Sequence, residues 1–165
     1  MEETLKLFEQ WCGANNWKTA RNDKPTAFPD KINQRYPMAA KSDYLQFINY
    51  FSECYTKDEQ SWFLCEQEYR KETDLTEFGW NFCELLTLEA VEDDTERKST
   101  IDWWDNHIPI LFSVRDGYSH FSISLEEDSF GQIVEGYEPL FEDTVVIADD
   151  LDGFLWKIMK GEQVF

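Results

Sequence analysis

Paired carboxylates are the most frequent residues here that could do chemistry: Glu126-Glu127-Asp128, Glu142-Asp143 and Asp149-Asp150. Two acids held across a cleft can hydrolyse a glycosidic bond. Acids are so abundant in this chain that no one pair stands out, and adjacency does not make a cleft. His107 precedes an apolar run and His120 sits beside Phe121. Neither has a nucleophile placed against it, which a general base requires. There is no Gly-x-Ser-x-Gly elbow, phosphate loop, dinucleotide fingerprint or His-Glu-x-x-His. Asp150-Leu151-Asp152-Gly153 has the look of part of a calcium loop, but the remaining ligand spacing is wrong. An apolar helical stripe begins there, so these acids read as helix capping. Cys12, Cys54, Cys65 and Cys83 form no Cys-x-x-Cys pair and sit beside Trp11, Tyr55, Leu64 and Phe82. They read as small reduced core residues. With only two histidines besides, a zinc site is not expected. The sequence therefore predicts no catalytic residue, no metal site and no cofactor.

What remains is a capacity to bind. Trp103-Trp104 lies between Asp102 and Asp105. Two adjacent tryptophans on a helix cannot both face one core. Either one is exposed as an aromatic anchor rimmed by acids, or both pack at an edge between elements. The charge is lopsided: 34 acids against 15 bases give −19 over 165 residues. Residues 1–40 hold five acids and six bases, and the rest holds 29 acids and nine bases. Between Asp116 and Trp156 there are eleven acids and no Lys or Arg. Such a surface repels phosphate and an anionic membrane, which excludes direct nucleic-acid binding and membrane docking as functions. It would attract a basic protein and hasten the encounter, although acidity also serves plain solubility.

The elements that must position these residues follow from periodicity. At 165 residues, 42% hydrophobic and 16% aromatic, the chain can bury a core, and no linker or repeat divides residues 1–165. Leu5, Phe8, Trp11 and Cys12 predict a helix over Glu2–Cys12. Residues 18–40, with Pro25, Pro29 and Pro37, read as irregular. Tyr44, Phe47, Ile48, Phe51 and Tyr55 predict a second helix from a cap at Ser42 or Asp43 to about Cys54. A strand is expected at Trp62–Tyr69. Residues 78–82 read as extended, a strand ends near Leu88, and an acidic helix runs from Glu92 towards Trp103-Trp104. Asp116-Gly117 marks a hairpin whose strands alternate, Ile110, Phe112 and Val114 on one arm and Phe121, Ile123 and Leu125 on the other, with one buried face. Strands at Gln132–Tyr137 and Val145–Ala148 follow. Leu151, Phe154, Leu155, Ile158 and Met159 predict a terminal helix, capped by Asp149 or Asp150 and ended by Gly161. Helices before and after a mainly antiparallel sheet of about six strands define an α+β fold. Met1-Glu2-Glu3 opens no basic region followed by an apolar block, so a cytoplasmic protein is expected.

The order Ile108-Pro109-Ile110, Asp116-Gly117, Gly131-Gln132-Ile133-Val134, then Val146–Asp150 leading into Phe154-Leu155, resembles the SUKH superfamily. Tyr36-Pro37 and Trp62-Phe63-Leu64 look like its earlier segments. Two features depart from it: Cys54–Trp62 contains no glycine, and Asp150 or Leu151 stands where the family has Ser. The resemblance implies a six-stranded-type domain without catalytic residues. Bacterial members act as immunity proteins that neutralise a cognate toxin, often a nuclease; others are regulatory adaptors. The expected partner is then a basic toxin domain. The expected surface comprises Trp103, Trp104, Glu126, Glu127, Asp128, Glu135, Glu138, Asp149, Asp150 and Asp152. The alternatives are a non-catalytic adaptor of the same fold and a small carboxylate-dependent hydrolase.

Overall fold

The structure is a computed structural model and describes residues 1–71 and 78–163. It shows an α+β fold. Seven strands form one wholly antiparallel sheet in chain order: β1 Trp17–Arg21, β2 Phe51–Thr56, β3 Ser61–Phe63, β4 His107–Ser113, β5 Ser119–Ser124, β6 Ile133–Tyr137 and β7 Leu140–Ala148. The helices are α1 Glu2–Ala14, α2 Asp30–Arg35, α3 Tyr44–Tyr50, α4 Glu66–Arg70, α5 Phe82–Ala90, α6 Asp94–Trp104 and α7 Leu151–Lys160. No helix is long and apolar enough to cross a membrane among the described residues.

The sheet is covered on both faces. On one lie α1, α3 and α7, and the core between them is aromatic. Phe8 and Phe47 meet Phe63, and Phe154 of α7 meets both Phe63 and Phe121. On the other lie α5 and α6, which contact β7 and β4. This explains a departure from expectation in the β4–β5 hairpin. Alternation predicted one buried face, yet every residue of both strands is buried. The polar set His120, Ser122 and Ser124 faces not water but α6.

The N-terminal half departs most. Residues 18–40 hold β1 and α2. The second helix stops at Tyr50, because Phe51 is extended (φ −106°, ψ 130°) and begins β2. No glycine or proline marks that junction, and Phe51 and Tyr55 continue the helical spacing by coincidence. Trp62–Tyr69 divides into β3 and α4. The expected strand near Leu88 is α5, where Phe82, Cys83 and Glu84 are buried at its start. The sheet thus has seven strands, not six. The C-terminal third agrees closely. Asp150 caps α7 by accepting from the Gly153 amide at 2.7 Å, and Gly161 ends it in the left-handed conformation (φ 72°).

Candidate protein-binding site

Antiparallel order fixes which loops share an end of the sheet. His107 pairs with Ser124, Ile123 with Ile133, and Ile133 with Ala148. Residues 105–106, 125–132 and 149–150 therefore lie at one end. The loops at 57–60, 114–118 and 138–139 lie at the other. Six residues of β5 at about 3.4 Å each separate the two by roughly 20 Å.

The first end gathers Glu126, Glu127, Asp128, Asp149 and Asp150, all exposed. The Glu127–Ser129 turn is pinned beneath by Ser129 Oγ against Ser124 Oγ at 2.6 Å, which leaves the carboxylates facing outward. Trp103 reaches the same end. Its half-buried ring lies flat on His107, with centroids 4.0 Å apart and planes 4° apart.

Four of the expected surface residues belong elsewhere. Trp104 is fully buried, and its Nε1 donates to Glu142 Oε1 at 2.5 Å. It packs inward because it is the last residue of α6 and looks down on the sheet, where it meets His120. Glu135 is also buried. It pairs with Phe121 and so takes the face beneath α7, and burial pushes its carboxyl up. Glu138 lies at the opposite end, its amide donating to Tyr118 O. Asp152 is occupied: Oδ1 accepts from Thr4 Oγ1 at 2.6 Å and lies 3.3 Å from the amino terminus.

Between the sheet and α6 lies a polar layer that sequence reasoning left unassigned, with His107 at the acidic end and His120, paired with Phe112 and Gly136, towards the other. His120 is fully buried and its pKa is driven down to about 4, chiefly by desolvation. Phe141 O can only accept, so Nε2 carries the hydrogen and donates to it at 2.9 Å; Nδ1 then accepts from Ser122 Oγ at 2.8 Å. Gly136 makes room for this crossing: a Cβ there would stand 2.1 Å from Phe141 O and 2.5 Å from His120 Nε2. His107, also lowered by burial, donates from Nδ1 to Trp103 O at 3.0 Å. This layer is closed and satisfied, and through His107 it positions Trp103.

Among the described residues two carboxyls are raised by burial, Glu68 and Glu135. Glu68 lines an open cavity of about 420 Å³ with Trp62, Phe63, Gln67 and Lys71. Glu135 lines another, of about 130 Å³, with Ser113, Ser119 and Tyr137. The two acids therefore do not face each other across one cleft.

Fold and site together define an α+β domain with an acidic end to its sheet, where Arg35 meets Asp105. Comparisons with protein-family models, with curated proteins and with solved structures find no match to the chain.

Proposed function

We propose that this is an immunity protein of SUKH type, cytoplasmic, which binds and neutralises a basic, nuclease-type toxin domain. One observation carries the reading: five exposed carboxylates from two loops converge at one end of the sheet, in the 41-residue stretch that holds no Lys or Arg. Like charges so placed repel one another and weaken the fold. Their use is to draw in positive charge. A nuclease cleft is basic because it must hold phosphate, and an acidic end is its complement. The half-buried Trp103 supplies an aromatic contact beside those charges. The run of elements from Ile108-Pro109-Ile110 through the Asp116-Gly117 hairpin to α7 supports the SUKH type. The hydrolase alternative loses support, since the two raised carboxyls line separate cavities.

The test is capture from the native host at low salt on the immobilised full chain, with elution by rising salt and mass spectrometry. The expected result is one basic protein with a toxin-like domain, released by salt and inhibited by this chain. A captured regulatory protein would favour the adaptor, and capture of nothing would remove the reading.

A further inference from the structure

β7 ends the sheet, and among the described residues no strand lies along its outer edge. At nine residues it is also the longest strand. A free edge offers a row of backbone donors and acceptors to another chain, and proteins usually blunt it with lysine, proline or a short strand. β7 contains neither lysine nor proline. Its main protection is at one point, where Lys157 Nζ donates to Ile147 O at 2.6 Å.

Beside the charged Glu142 and Asp143, this edge carries apolar side chains that are open. Leu140 is 64%, Val145 56% and Val146 58% exposed, beside Tyr137 at 53%. Val145 pairs with Glu135 and Val146 with Val134, so the two valines point to opposite faces of the sheet. An added strand would therefore be gripped from both sides. The valines adjoin Asp149 and Asp150, so the edge runs directly into the acidic end.

Charge selects the occupant. Glu138, Glu142, Asp143, Asp149 and Asp150 flank the edge, against Lys157, whose ammonium is bonded to Ile147 O. A second copy laid antiparallel along β7 would set these acids against their own equivalents. We propose that the β7 edge takes an extended segment of the basic partner as an eighth strand. The backbone ladder holds the segment, its apolar residues pack on Val145 and Val146, and its Lys or Arg side chains meet the flanking acids. This inference rests on the basic-partner reading above and adds the mode of docking.

The probe is a nine-residue peptide alternating valine with lysine, compared with the same peptide N-methylated at alternate amides. Methylation keeps the charge and removes the strand donors. Both are titrated at low salt into the full chain, followed by amide NMR and hydrogen exchange. The expected result is shifted and newly protected amides within Leu140–Ala148, and binding about tenfold weaker for the methylated peptide. Val145→Lys with Val146→Lys, at exposed positions, weakens the unmethylated peptide by a similar factor. Equal binding of both peptides, with shifts confined to Glu126–Asp128, overturns the edge and leaves the basic-partner reading standing. No binding of either peptide overturns both. A chain that dimerises through β7 without peptide overturns the proposal in favour of a second copy.

Discussion

The two ends of the sheet use charge differently. At the end formed by the 57–60, 114–118 and 138–139 loops, charge is partly offset: Lys57 and Arg115 stand among Asp58, Glu59, Asp116 and Glu138. Arg115 Nη2 meets Asp58 Oδ2 at 2.6 Å, and Lys57 stands close by in sequence. At the other end, Glu126, Glu127, Asp128 and Asp149 stand in a stretch of chain without a base. Two acids there do serve the fold: Asp150 caps α7, and Asp105 accepts from Arg35 Nε at 2.8 Å. The contrast separates carboxylates that hold the structure from carboxylates that the structure merely holds. The second kind costs stability and is explained by what it binds. At roughly 20 Å, the ends are further apart than the ~8 Å screening length of physiological salt, so they can be tested independently.

The largest expected effect lies in the polar layer under α6, towards the opposite end. His120 is held near pKa 4 in the fold against about 6.5 when unfolded, so the unfolded chain takes up the proton first. Its contribution is complete above about pH 6.5 and is lost as pH falls towards 4, on the order of 3 kcal/mol. The raised carboxyls of Glu68 and Glu135 act in the opposite sense, their contribution fading as pH rises through their folded values. Urea unfolding from pH 7 to 4 should show stability falling with acid, and His120→Gln should flatten that slope. An unchanged slope in the variant would show that the buried imidazole does not set the acid sensitivity of the fold.

Next in size is the cap. Asp150→Ala should cost about 1 kcal/mol, read as a lower urea midpoint. Glu127→Gln and Asp149→Asn, from the same end, should instead raise the melting temperature, most visibly at low salt. If those two destabilise, the acids are structural and the contrast between the ends fails. The smallest effect belongs to Arg115→Ala at the opposite end. Its exposed pair should contribute little, and that little should vanish at high salt.

The sequence made the acidic end legible in part. Glu126–Asp128 and Asp149-Asp150 were identified by charge alone, and the hairpin, the Gly131 turn and α7 by alternation, glycine and a full helical stripe. Burial was harder to read. Trp104 and Glu135 carry the same labels as Trp103 and Glu127, and only strand register and helix placement send them inward. β1 and α2 were hidden because they are short and only partly apolar. The end of α3 was hidden because Phe51 and Tyr55 fit a helix as well as a strand. His120 has no nucleophile beside it in sequence, and nothing local announces that it lies beneath Trp104 and against Phe141 O. That contact depends on Gly136, sixteen residues away.

The most direct test is the association rate of the captured basic partner at low salt. It compares the wild-type chain with Glu126→Lys/Glu127→Lys/Asp128→Lys and with Asp116→Lys, at an exposed position of the far end. Reversal at the acidic end should slow association by about tenfold or more, and Asp116→Lys by less than about twofold. Equal slowing by both variants, or by neither, would contradict the assignment of binding to the acidic end.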